Sequence, residues 1–187
     1  MADFTIHTKD TVPEDGKETL DAIAKTYGFV PNLLGGLAEA PPVAKAYMEI
    51  TLNVMAASLS PAERHVAWFA INAFHECHYC MAAHSAIATG EKIPADVIEA
   101  ARAGGGYADA KLQAMHDFAV KMVETRGWVD EAGVQAFLDA GFTKRNVLEV
   151  VLIAAHKTLS NYSNHLMNTP VDDAFAPFAW EAKQAAE

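Results

Sequence analysis

Ser60-Pro61-Ala62-Glu63 reads as the start of a helix. A serine N-cap accepts from a backbone N–H of the first turn, proline suits the first helical position, and a glutamate three residues after the cap reaches back to complete a capping box. The next turns, through Val66, Trp68, Phe69, Ala70 and Phe74, are apolar on nearly every side. A helix without a polar face has to be enclosed, so the rest of the chain is expected to wrap around this one. The cap accounts for Glu63 without any catalysis.

The flanking segments read as helices too. Leu20, Ile23, Ala24 and Tyr27 recur at helical spacing between Pro13 and Gly28, and glycine suits the residue that ends a helix. A short helix over 33–38 and a longer one from about Pro42 to Ala57 precede the capping box, and residues 1–12 read as a loosely held arm. Beyond it, helices are predicted from Cys77 to Thr89 with Gly90 as the stop, from Pro94 to Ala103, and from Asp109 to Thr125. Asp130 caps a helix to Ala140, and Thr143 caps a long one reaching Asn168, whose Val147, Leu148, Val150, Val151, Leu152 and Ile153 are dense enough to be buried. No alternating strand pattern and no fixed repeat interrupts this series. The expectation is an all-α domain of about eight helices spanning 1–187, with a core region at 42–90, C-terminal helices over 109–168 and a tail from 169 whose Phe175, Phe178 and Trp180 pack on this subunit or a neighbour.

With 51% hydrophobic and 20% charged residues the chain can build a substantial core, and a formal charge of −10 argues against nucleic acid and anionic lipid as partners. No run approaches the roughly 18 apolar residues of a membrane span, and the N-terminus has no basic region leading into an apolar stretch. The chain is therefore expected to be cytoplasmic. Gly104-Gly105-Gly106 is a break rather than a phosphate loop, since no strand precedes it and no Lys-Ser/Thr comes after it.

Both cysteines of the chain lie in Cys77-His78-Tyr79-Cys80-Met81-Ala82-Ala83-His84. At about 100° per residue Cys77, Cys80 and His84 share one sector of a helix. In a reducing cytosol a lone Cys-x-x-Cys is more often catalytic or metal-binding than structural. Redox work needs one sulfur as thiolate. The start of a helix near Cys77 favours an anion there through its free N–H groups and dipole, whereas His84, one turn beyond Cys80, is placed to take that thiol's proton. Spacing does not decide between the two.

From Leu59 to His84, the capped apolar helix followed by Cys-x-x-Cys-x-x-x-His resembles the carboxymuconolactone decarboxylase family, and within it the AhpD-like alkylhydroperoxidase branch. The close match covers about 42–90, with a similar flow over 118–166. The resemblance implies an all-helical homo-oligomer, with no cofactor, that reduces hydroperoxides and is re-reduced by a dithiol partner. It implies that Cys80 attacks the peroxide, that Cys77 resolves it as a disulfide, and that His84 links Cys80 to a proton relay. One position departs: where the branch has a glutamate, twelve residues before Cys77, this chain has His65. A histidine can pass a proton near neutral pH, so a His65, His84, Cys80 relay is expected. Rival readings are a tetrahedral metal site of Cys77, Cys80, His84 and His65, a lactone- or carboxylate-processing enzyme that does not depend on thiols, and a helical scaffold with incidental cysteines.

Overall fold

The computed structural model describes residues 3–182. Among them are nine α-helices, two 3-10 turns and no strand. The order is α1 (Lys17–Tyr27), α2 (Asn32–Leu37), α3 (Pro41–Met55), α4 (Pro61–Phe74), α5 (His78–Gly90), α6 (Ala95–Ala103), α7 (Ala110–Glu124), α8 (Glu131–Asp139) and α9 (Lys144–Met167). No helix among the described residues is long and apolar enough to cross a membrane.

The fold is built around α4, which packs against α5, α6, α7 and α9. Its capping box forms as expected: the Ser60 side chain accepts from Glu63 N, and Glu63 accepts from Ser60 N at 2.8 Å. Glu63 also pairs with Lys111 on α7 at 2.7 Å, tying the start of α4 to its largest neighbour. Two apolar clusters meet at α4 and α5. One joins Trp68, Phe69 and Met81 to α7, α8 and the N-terminal half of α9. The other joins Leu20, Ile23, Leu33, Leu34 and Tyr47 of the N-terminal helices to Cys77, Tyr79 and Cys80. The cysteines therefore sit where the N-terminal layer closes over the central pair.

Three expectations are corrected. The N-terminal arm is docked over its described part: His7 N–H donates to Gly35 O at 3.1 Å, its ring meets Glu39 at 2.7 Å, and Val12 is buried. Gly35 permits this approach, because a Cβ there would stand 2.8 Å from the His7 carbonyl oxygen. The first helix begins at Lys17, after a 3-10 turn over Glu14–Gly16. On α9, Leu148 and Val151 are 69% and 45% exposed while Val150 and Ile153 are fully buried. Apolar residues at nearly every position cover all sides of a helix, and only the sides packed against α2, α3, α4, α5 and α7 are enclosed.

The tail packs on its own subunit. Asp172 accepts from Tyr79 Oη at 2.6 Å and from Asn32 N at 3.0 Å. Arg102 donates to the carbonyls of Phe178 and Ala179, Trp180 Nε1 donates to Arg102 O, and His78 Nδ1 meets Trp180 O. Of the expected tail and arm, residues 1–2 and 183–187 lie outside the described residues.

Candidate active site

The turn between α4 and α5 aims the cysteines. Cys77 N–H reaches back to Asn72 O at 2.9 Å, which requires Glu76 to adopt the left-handed conformation (φ 51°), a strained state for a residue with a Cβ. The chain reverses there, Cys77 becomes the N-cap of α5, and both sulfurs turn inward. Glu76 stays exposed, so it does not approach the thiols from the loop.

Cys80 faces a cavity of about 140 Å³. Its walls are apolar, from Tyr27, Phe29, Leu33, Leu34, Ile87 and Phe175, and its polar groups include Cys80, His84 and Lys157. Cys77 is not among the residues that line it. Asn164 on α9 donates through Nδ2 to Cys80 Sγ at 3.2 Å, and the same group lies 3.8 Å from Cys77 Sγ. The two thiols are driven apart in acidity. Burial, the largest influence on Cys80, pushes it up, but the hydrogen bond from Cys77, the charge of Lys157 and the Ser160 and Asn161 side chains outweigh it and bring Cys80 well below the usual thiol range. Donating that hydrogen bond, together with burial, drives Cys77 far upward. Cys80 is the more acidic sulfur and Cys77 the less acidic one.

Lys157 and Asn164 were not expected from the sequence. A polar residue in a long helix ordinarily reads as solvent-facing, yet Lys157 is fully buried. Projecting the buried Val150 and Ile153 face onward at helical spacing lands on Lys157, Ser160 and Asn164. That projection is the signal that would have found them.

The histidines fall differently from their expected arrangement. Among the described residues His84 makes no hydrogen bond to either sulfur. Its Nε2 lies instead 2.8 Å from Lys157 Nζ. An ammonium only donates, so Nε2 accepts and the ring carries its proton on Nδ1, a buried donor with no protein partner among the described residues. Burial, then the nearby Lys157 charge, holds His84 neutral. His65 is fully buried with Nε2 3.1 Å from Glu91 Oε2. Facing a carboxylate, Nε2 bears the proton, which leaves Nδ1 a buried acceptor, likewise without a partner. The two rings stand 6.4 Å apart, one offering a donor and the other an acceptor. Glu91, which no motif in the sequence marks, is the carboxylate of this row and is 32% exposed. His156 accepts from Trp68 Nε1 at 3.2 Å and meets Thr51 Oγ1 at 3.0 Å, which fixes it as a neutral structural residue.

Cys77, Cys80, His84 and His65 do not converge as a metal site. His84 Nε2 is occupied by a cationic amine, and no group of three or more His, Cys, Asp or Glu among the described residues is arranged to hold a metal ion.

The capped helix and the Cys-x-x-Cys helix lie inside one segment that matches a known family. Residues 41–121 match the carboxymuconolactone decarboxylase family. The whole fold is similar to a solved alkylhydroperoxidase AhpD core, an uncharacterized peroxidase-related protein from Ralstonia eutropha, at 27% identity and a TM-score of 0.78 over 92% of this chain and 93% of that one. A peroxidase-related protein from Silicibacter sp. shares the fold at 19% identity and a TM-score of 0.77, covering 93% and 92%. So does the debrominase Bmp8, at 16% identity and a TM-score of 0.75 over 94% and 95%. No curated protein matches the sequence. The carboxymuconolactone decarboxylase segment supplies α3 to α6 and most of α7, whereas Lys157 and Asn164 come from beyond it.

Proposed function

We propose that the chain is a thiol-dependent peroxidase that reduces organic hydroperoxides through Cys80 and Cys77. The observation that carries this reading is the asymmetry of the pair: Cys80, the acidic sulfur, opens on an apolar cavity, and Cys77, the protonated one, does not line it. The cavity suits a peroxide with a hydrocarbon body. Thiolate attack on the peroxide gives a sulfenic acid at Cys80, and condensation with Cys77 gives a disulfide and water. The likeness to the peroxidase-related protein at 27% identity supports the same chemistry. A dithiol from a partner returns the pair to its reduced state.

We take His84, His65 and Glu91 as a proton route that differs from the expected His65, His84, Cys80 relay, since His84 meets Lys157 and not a sulfur. Lys157, which lines the same cavity as Cys80, donates to His84, and Glu91 supplies from just past the end of α5 the carboxylate that position 65 lacks. The exposed apolar residues Leu148, Tyr162 and Leu166 on α9 support assembly as a homo-oligomer.

Free-thiol titration after stoichiometric cumene hydroperoxide tests the reading. Both thiols of the parent disappear, Cys80→Ser is inert, and Cys77→Ser stops at a sulfenic acid that dimedone captures on Cys80. Dimedone captured on Cys77, in the protein with Cys80 replaced, would reverse the roles. With excess cumene hydroperoxide and dithiothreitol as the reductant, His65→Phe and Glu91→Gln slow repeated turnover about tenfold while leaving the first loss of thiols unchanged. Equal turnover in both variants removes the relay from the mechanism.

A further inference from the structure

Lys157 is fully buried, yet none of the ion pairs among the described residues includes it. Its hydrogen-bond partner is the neutral ring of His84. A buried ammonium needs a counter-charge: burial, the largest influence on Lys157, loosens its hold on the proton, and negative charge on Cys80 works against that loss. Lys157 and Cys80 meet at the same cavity. The other titratable groups around this point are His84 and Tyr79 from α5, His65 from α4, Tyr47 from α3, Tyr27 from α1 and His156 from α9 itself. All three histidines are held neutral and Tyr47 is pushed upward by burial. Near neutral pH the charges set against each other in this cavity are those of Cys80 and Lys157, and the nearby Asp172 carboxylate is taken up by Tyr79 Oη at 2.6 Å.

We propose that Lys157 is the proton donor of the reaction, giving its proton to the oxygen that leaves when Cys80 attacks the peroxide, and that it remains a neutral amine while Cys77 and Cys80 form a disulfide. This rests on the peroxidase reading and names the acid which that reading requires. The Cys80 thiolate attacks the terminal oxygen of ROOH; the S–O bond forms, the O–O bond breaks, and the departing RO⁻ takes a proton from Nζ. Cys80-SOH, ROH and an uncharged amine result. Cys77-SH then displaces the sulfenic hydroxyl, so the S–S bond forms and water leaves with the thiol hydrogen. When a dithiol reduces the disulfide, its two hydrogens restore Cys77-SH and the Lys157 ammonium opposite the Cys80 thiolate. The site stores one proton and uses it once per cycle.

Two arms test this. The first uses the parent and no peroxide. Diamide closes the disulfide by accepting both hydrogens, and formaldehyde with cyanoborohydride then methylates uncharged amines, with exposed Lys9 as the internal reference. Methylation of Lys157 is expected to be at least about tenfold faster in the disulfide form than in the reduced form, Lys9 being unchanged. No difference between the forms overturns the stored proton. The second arm tracks thiol loss to cumene hydroperoxide. Lys157→Arg keeps a charge opposite Cys80 but cannot release a proton, so it retains the ultraviolet absorbance of the thiolate at neutral pH yet reacts about 100-fold more slowly. An arginine variant as fast as the parent overturns the donor role. A parent indifferent to cumene hydroperoxide counts against the peroxidase reading, while the methylation difference still decides whether Lys157 responds to the state of the thiols.

Discussion

Lys157 Nζ lies 2.8 Å from His84 Nε2, so the histidine of the motif accepts from a lysine of α9 rather than reaching a sulfur. The charge on Lys157 helps bring Cys80 below the ordinary thiol range. Alkylation of Cys80 by iodoacetamide is therefore expected to stay level as pH falls from 8.5 to neutrality. In Lys157→Met it falls about tenfold per unit below about pH 8.5. Peptide mass mapping separates Cys80 from Cys77. Parallel profiles for parent and variant would deny Lys157 its part in the thiolate.

Acid should weaken the fold before the carboxylates titrate. His65, His84 and His156 are buried and neutral, all with lowered proton affinity, His156 down to about 2. The unfolded chain takes up these protons near pH 6.5, so their contribution is complete above that value and is lost as pH falls below it. Each histidine adds a slope of up to about 1.4 kcal/mol per pH unit. Urea denaturation between pH 7.5 and 5 should show it, and stability that is level down to pH 5 contradicts the neutral assignment.

Phe137 stacks between Phe118 and Phe142, with ring centroids 4.1 Å away on each side. This sandwich fastens α8 to α7, away from the cavity that Cys80 lines. Phe137→Ala should cost about 3–5 kcal/mol in chemical denaturation and leave the rate of Cys80 alkylation unchanged. A slowed alkylation would mean that α8 supports the site.

Leu148 and Leu166 are 69% and 68% exposed on α9. Replacing both with glutamate is expected to convert an oligomer into a 20.1 kDa species in light scattering coupled to gel filtration. A parent that already runs at that mass at micromolar concentration refutes the assembly.

Helix starts were legible wherever the cap is local. Ser60 with Glu63, Asp130, and Thr143 all cap in the structure as their spacing implies. The start of the thiol helix was legible although Cys77 stands at its N-cap without a side-chain hydrogen bond. Lys157 was not, because its role depends on a sulfur 77 residues earlier in the chain and local polarity marks it as surface. His65 was found by its offset from Cys77, but its carboxylate partner, 26 residues further on, lies at the far end of α5 and depends on how α4 and α5 pack. The acidity of Cys80 over Cys77 was open for a related reason: the dipole and the histidine were visible in sequence, and the deciding groups on α9 were not.

Phe175, from the tail, forms part of the cavity wall, and Asp172 fastens that tail to Tyr79 beside Cys80. One side of the cavity is thus encoded about a hundred positions from the sulfur it faces. A fragment ending after α9 would keep its thiols and lose that wall. The same division lets the C-terminal segment vary in length and character, and so retune what the pocket admits, without touching a residue that carries the chemistry.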